Sequence, residues 1–243
     1  MSRLSVQNFD YSLSINGTSG YVDLGNNFDK DGSEAFSVSA WIYLRESGRG
    51  THRSIIRKQD STSNSAGWIF KIENNDELNF LLINDVSPAR LIRTDSIRTM
   101  PHNQFIHVTA TYDGSKQAAG VTMYLSGAVI DYTDVYDSLT GYSSANSANC
   151  SIGYRASDSG QIMDGLISRV RTYNKKLTSA EVGHLYRTGI APDVEAEWLM
   201  TDGSGTTLTA SVGGVDGTIT TPVWSSVVPM KERSVISVPR ISI

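Results

Sequence analysis

The chain has a single cysteine, Cys150, in 243 residues. That excludes a disulfide framework and a cysteine-built metal site. Prolines number six and histidines four. The histidines, at 52, 102, 107 and 184, form no H-x-H or H-E-x-x-H pair, so the sequence offers no transition-metal site. No apolar run approaches the length needed to cross a bilayer, and no membrane partner is expected. The opening residues MSRLSVQNFDYSLS lack the apolar core of a secretory signal. They predict synthesis in a cytoplasm without export by the usual route, which leaves the glycosylation patterns at Asn16-Gly-Thr18 and Asn149-Cys-Ser151 without meaning. Charge of one sign is also missing: 21 basic residues stand against 25 acidic, a net of −4. Nucleic-acid binding needs clustered Lys and Arg. The one basic cluster, residues 45–53 with Arg57 and Lys58, reads as a solvated loop. There is no G-x-S-x-G elbow, phosphate loop or dinucleotide fingerprint, and no cofactor is implied by motif.

What is present is a succession of short apolar runs, evenly spaced, with Gly, Ser, Asn and Asp between them. That pattern predicts an all-β fold, a two-sheet antiparallel jelly-roll sandwich with one short helix after the main strands. The strongest strand signal covers 35–44. Phe36, Val38, Ala40, Ile42 and Leu44 alternate with serines, Trp41 and Tyr43, and aromatics on the second face predict partial cover on both sides. Strands are expected at 54–58, 68–73, 77–83, 90–94, 105–112, 121–125, 128–132 and 150–154, with a hairpin turn at Asn74-Asn75-Asp76. Residues 161–189 organise the chain. An alternating apolar segment there leads through a polar break into a helix. Thr178 is placed to cap it, Glu181 stands at the capping-box spacing, and Gly189 is free to turn left-handed at its end. Further strands are expected at 194–200, 206–212 and 218–223.

Four groups are candidates for function. Residues 131–149 form the longest stretch without periodicity, and their Tyr, Ser, Asn and Asp mix suits a binding loop. Tyr132, Tyr136 and Tyr142 would stack on sugar faces, and polar residues such as Asn146 would bind hydroxyls. Asp193, Glu195 and Glu197 alternate with apolar residues and would share a strand face, which allows a glycoside hydrolase using Glu195 and Glu197 as an alternative. Asn16, Asp23 and Asp164 are oxygen donors of the type that calcium takes. The tail, 227–243, is apolar and β-branched with no evident place in a core. Val235, Ile236, Val238 and Ile241 would dock it on a partner by strand addition.

From about residue 13 to residue 186 the chain resembles the laminin-G-like jelly rolls of the concanavalin A-like lectin/glucanase superfamily. Leu13-Ser-Ile-Asn-Gly17 with Tyr21-Val-Asp-Leu-Gly25 is similar to the family's opening hairpin. Phe36-Ser-Val-Ser-Ala-Trp-Ile42, Phe105-Ile-His-Val-Thr-Ala-Thr-Tyr-Asp-Gly114 and Val121-Thr-Met-Tyr-Leu-Ser-Gly127 resemble three of its strands. Asp164-Gly-Leu-Ile167, Val170-Arg-Thr-Tyr-Asn174 and Leu177-Thr-Ser-Ala-Glu181 with Leu185-Tyr186 resemble its closing strand and helix. Two departures stand out. Ser168-Arg169 replaces the family's Asp-Glu, and Asn16 replaces the opening Asp, which counts against calcium. The words around Trp198 to Trp224, which often precede the opening hairpin in relatives, here follow the helix. They predict one domain over 1–226, completed by strands from 194–224, with 227–243 as an extended tail. The resemblance implies a non-catalytic module that binds glycans or proteins. With no signal and a lone cysteine, it further suggests a phage virion surface protein (capsid decoration, neck or fibre component), homo-oligomeric, with other virion proteins or surface glycans as partners. A glycan-binding adhesin is the alternative setting.

Overall fold

The alternation at 35–44 is realised as a strand buried on one side and covered on the other. The computed structural model describes residues 11–59, 66–86, 89–154, 161–190 and 192–229, and these residues form seventeen strands and one α-helix. The first half contains β1 (Ser12–Asn16), β2 (Tyr21–Asp23), β3 (Phe36–Leu44), β4 (Arg53–Gln59), β5 (Gly67–Ile72), β6 (Glu77–Val86), β7 (Ala89–Thr99) and β8 (Phe105–Tyr112). Then come β9 (Val121–Leu125), β10 (Ala128–Val129), β11 (Tyr132–Asp137), β12 (Cys150–Ile152), β13 (Asp164–Tyr173) and the helix α1 (Ser179–Thr188). After it follow β14 (Ala196–Trp198), β15 (Thr207–Leu208), β16 (Gly217–Thr220) and β17 (Trp224–Ser225).

All pairings are antiparallel, and they build two sheets. One has the order β10-β9-β8-β3-β13-β1-β17, with β14 also paired to β13; the other runs β11-β7-β6-β5-β4-β12-β2-β16-β15. The expected two-sheet, all-β sandwich is therefore the fold. Phe36, Val38, Ala40, Ile42 and Leu44 of β3 point into the core between the sheets, where they meet Trp68, Phe70, Phe80, Leu82 and Ile92 from the other sheet. Such side chains each contribute about 1.5–3 kcal/mol on full burial.

The segments after α1 belong to the same sandwich. β14 pairs with β13, β17 with β1 and β16 with β2. Trp198 is fully buried, packs edge-on against Phe28 at 5.5 Å and donates its indole N–H to the Val215 carbonyl at 2.8 Å.

α1 carries the expected caps. Glu181 N–H donates to Thr178 Oγ1 and Thr178 N–H to Glu181 Oε2, while Gly189 closes the helix at φ 70°. The helix covers the outer face of the eight-stranded sheet. Val182 and Leu185 cluster with Tyr124, Tyr173 and Leu177, and Tyr186 stacks on Trp41 at 5.7 Å. Trp41 and Tyr43 are thus the second, covered face of β3 that the sequence predicted.

Three expectations need correction. Residues 132–137, read as the start of a loop, form the edge strand β11 against β7. A register shift between Asp134 and Tyr136 breaks the alternation that would have revealed it. The strand expected at 194–200 shrinks to Ala196–Trp198, so Asp193 and Glu195 lie outside it. The strand expected at 206–212 is only Thr207–Leu208.

His107 is fully buried between Trp41 and Tyr186. Burial, with Arg171 adding to it, pushes its imidazole pKa down from 6.5 to about 3. The unfolded chain takes up this proton below pH 6.5 while the folded chain resists it. Stability is therefore complete above 6.5 and falls as pH drops towards 3. Between pH 6.5 and 4.5, above the range where carboxylates protonate, denaturant unfolding should show a decline in the wild type that is absent in His107→Phe.

Candidate functional site

Side chains on the nine-stranded sheet alternate between the core and the opposite, outer face. On that outer face Ile69, Leu81 and Ile83 form their own small cluster, separate from the main core. The register sets two rungs across the strands. One runs Lys71, Asn79, Asp95 and Thr133; the next runs Arg57, Ile69, Leu81, Arg93 and Tyr136. A chain of charges ties the rungs together. Lys71 Nζ lies 2.9 Å from Glu73 Oε1, and Arg93 Nη2 lies 3.2 Å from the same oxygen. Arg93 also forks onto Asp95, at 2.9 Å from Nη2 and 3.2 Å from Nε, while Asn79 Nδ2 donates to Asp95 Oδ1. His52 Nδ1 approaches Glu73 Oε2 at 2.6 Å.

The electrostatics follow from this packing. Burial alone would raise the Glu73 carboxyl, but Lys71, Arg93 and His52 outweigh it and hold the pKa below the ordinary 4.5. Lys71 is lowered by burial, which Glu73 offsets only in part. For Arg93, burial is outweighed by Asp95 and Glu73, and the guanidinium is held more firmly charged.

The accessible part of this face is its β7–β11 edge. The Arg93 side chain is 32% exposed, Tyr136 is 46% exposed, and Ile97, just beyond Asp95, is 63% exposed. Next to Ile97 opens a cleft of about 250 Å³ lined by Ile97, Arg98, Val129, Ile130 and Asp131. The strip thus combines an aromatic ring, a guanidinium fixed on two carboxylates and a cleft of mixed character in which Ile97, Val129 and Ile130 sit beside Arg98 and Asp131.

The residues expected from the sequence are not gathered in one place. Tyr136 lies on the strip, but Tyr132 packs against the core and its hydroxyl donates to the Val121 carbonyl. The irregularity between Asp134 and Tyr136 sends the two rings to opposite faces. Tyr142 sits on a separate loop where Lys116 Nζ donates to its carbonyl. Asn146 shapes that loop: its N–H donates to Asp29 Oδ1 and its Oδ1 accepts from the Ala148 N–H. Arg93 and Asp95 were missed; an alternation of charged residues with Ile92 and Thr94 was their only signal.

Glu195 and Glu197 are each engaged by other side chains. Glu195 lies 3.3 Å from Lys30, and Glu197 accepts from Arg171 Nε and the Ser211 hydroxyl. Asp193 bonds Lys175 at 2.8 Å. The three proposed calcium donors also have other work. Asn16 Oδ1 accepts from the N–H groups of Thr18 and Ser19, and Asp164 binds Arg45 at 3.0 Å and Ser47 at 2.6 Å. Asp23, on the other sheet, accepts from the Gly25 N–H and from Asn149. Asn16 faces Asp164 across β1 and β13, but Asp23 lies on the other sheet, and among the described residues no three His, Cys, Asp or Glu side chains are placed to hold a metal ion. Val235, Ile236, Val238 and Ile241 lie outside the described residues.

This arrangement, two antiparallel sheets face to face with a capped helix on one of them, defines the concanavalin A-like class of sandwich. Residues 16–183 match the family model described as the concanavalin A-like lectin/glucanases superfamily, and the chain belongs to that laminin-G-like family. A comparison with curated proteins finds no match. Among solved structures, a candidate carbohydrate-binding protein from Bacteroides ovatus is similar at 15% identity and TM-score 0.65, over 89% of this chain. This chain spans 59% of that protein. A heptameric SAP-like pentraxin from Limulus polyphemus is similar at 15% identity and TM-score 0.55, over 76% of this chain and 87% of its own. The CBM40 of a Ruminococcus gnavus sialidase, bound to α2,3-sialyllactose, aligns at 14% identity and TM-score 0.49, over 68% of this chain and 96% of its own.

Glu73 is the acid on which the outer-face charges depend. Replacing it by Gln strands Lys71 and should lower stability by about 3 kcal/mol, the cost of breaking a buried pair. Because the folded carboxyl is held below 4.5, its contribution is present above that pH and lost as pH falls through the lower folded value. The difference between wild type and Glu73→Gln in urea unfolding should therefore shrink as pH drops below 4.5.

Proposed function

We propose that this chain is a non-catalytic glycan-binding module whose ligand lies along Tyr136 and Arg93 and ends in the cleft beside Ile97 and Asp131. The observation that carries the reading is the pairing of Tyr136 with Arg93 as direct cross-strand neighbours on an exposed sheet edge. An aromatic face suits the C–H face of a sugar, and a guanidinium already held by Asp95 and Glu73 presents N–H donors to sugar hydroxyl oxygens at little further entropic cost. The engagement of Glu195 and Glu197 by Lys30, Arg171 and Ser211 supports a binding role over hydrolysis. The carbohydrate-binding description of the similar Bacteroides ovatus protein points the same way.

On a glycan array, Tyr136→Ala should lose about tenfold in apparent affinity, in line with one aromatic contact, while Tyr142→Ala, on its separate loop, should match the wild type. Equal signals from wild type and Tyr136→Ala, or no wild-type signal, would remove this reading.

The virion setting expected from the sequence has no counterpart among the three similar structures, none of which is described as a virion component. It enters the proposal only as a place of display, where the strip would face outward from a particle. Co-sedimentation of the protein with particles from the source virus or phage would support that place. A protein left wholly in the supernatant would refute it and leave the adhesin setting.

A further inference from the structure

At one side of the sandwich both sheets end in edges that come from adjacent stretches of chain. β10 ends the eight-stranded sheet, and β11, two residues later, ends the nine-stranded one. β11 is exposed over Thr133–Asp137, with Val135 at 43% and Tyr136 at 46%. An edge with free backbone groups is a template for another strand unless something discourages it. Two features discourage a second β11: the register shift between Asp134 and Tyr136, and the acids Asp131, Asp134 and Asp137. The acids crowd one another, since burial and then Asp137 raise the Asp134 carboxyl. A basic strand would relieve the same crowding, so the edge selects by charge.

The chain contains such a strand in sequence. Residues 230–238, between Pro229 and Pro239, read MKERSVISV; Lys231, Arg233, Val235 and Ser237 would share one face when extended. Four residues separate this segment from β17, and β17 ends the eight-stranded sheet at the side opposite β10. Six strand steps separate β17 from β10. At roughly 4.8 Å per step that is about 29 Å, or about nine extended residues, so a crossing begun at residue 226 would reach residue 234 and leave only 235–238 of the segment to pair with its own β11.

We propose that residues 230–238 of one copy add as a strand to the β11 edge of a second copy. The donor leaves from one side of the sandwich and the acceptor lies on the other. The contact is therefore heterologous, and it joins copies head to tail into rings or open chains. Backbone pairing supplies the attraction, and Lys231 and Arg233 against Asp134 and Asp137 supply the selectivity.

Mass photometry and light scattering of the chain 1–243 over a concentration series would test this. Wild type should form oligomers that weaken with salt. Ile236→Pro, which removes a backbone donor in mid-strand, should be monomeric with an unchanged melting temperature. Asp134→Lys should raise the apparent dissociation constant about tenfold or more, and adding Lys231→Glu with Arg233→Glu should restore assembly. A second measurement covers misfolding: Thr133→Cys mixed with Ser237→Cys should give an intermolecular disulfide that neither variant gives alone. A wild type monomeric at every concentration would overturn the proposal, as would oligomers indifferent to Ile236→Pro and Asp134→Lys. So would cross-linking of Thr133→Cys to itself, which would mean edge-to-edge pairing. In a chain that carries both Thr133→Cys and Ser237→Cys, an intrachain disulfide would also overturn it, because the segment would then fold back on its own edge.

Discussion

Strand β13 has three partners, and the sandwich depends on it. One side of it bonds to β3 along most of its length; the other side is shared in succession by β1, at 164–167, and β14, at 170–172. The first strand of the fold and the first strand after the helix therefore meet end to end on one template. Close approach requires Gly165, where a Cβ would lie 2.0 Å from the Tyr43 carbonyl oxygen. Between the two partners β13 is irregular. The register with β3 shifts between Ser168 and Arg171, and Arg169 adopts φ 50°. That shift keeps Ile167 and Val170 in the core and turns Arg171 to the outer face, where it reaches Glu197 of β14 and the Gly189 carbonyl at the end of α1. A cation at a helix C-terminus is favourable, so one side chain ties helix, strand and C-terminal extension together.

Around the β5–β6 turn, buried charge is held in networks rather than single pairs. Asp76, with φ 66° at the β5–β6 turn, receives Arg53, Arg49 and His102, and Glu73 three residues earlier receives Lys71, Arg93 and His52. Removing two charges from water is costly, and single buried pairs often do no better than apolar residues. Sharing each carboxylate among several cations satisfies its lone pairs and fixes the orientation of all of them. The consequence on the outer face is rigidity: Arg93 cannot swing without breaking its contacts to both Asp95 and Glu73.

How legible the fold was depended on whether its signals were local. Thr178, Glu181 and Gly189 lie within one helix, and the capping geometry follows from their spacing. Phe36 to Leu44 alternate because β3 packs on both faces, and the aromatics at 41 and 43 announced the cover that Tyr186 provides. The site was less legible. Tyr132 and Tyr136 are both tyrosines on one short segment, yet a one-residue irregularity separates them to opposite faces, and nothing in the local composition marks it. Glu195 and Glu197 are two apart, as a strand pair would be. Their partners Lys30 and Arg171 come from segments far away in sequence, so an apparent acid pair is two unrelated salt bridges. Arg93 and Asp95 look like ordinary surface charges until the register places Glu73, Asn79 and Tyr136 beside them.

The β10–β11 corner follows from the same geometry. The chain crosses from one sheet to the other between Val129 and Tyr132, so both sheets stop there and no later strand covers either edge among the described residues. Tyr132 is drawn inward and anchors the crossing, with its hydroxyl on Val121 of β9. Once it is fixed, the strand must pass Asp134 before the irregularity lets Tyr136 reappear outside, opposite Arg93. An inward tyrosine that secures the edge and an outward one that remains free of the core are thus two results of one bulge. The irregularity that hid the site in the sequence is also what presents an aromatic ring beside a fixed guanidinium on an uncovered edge.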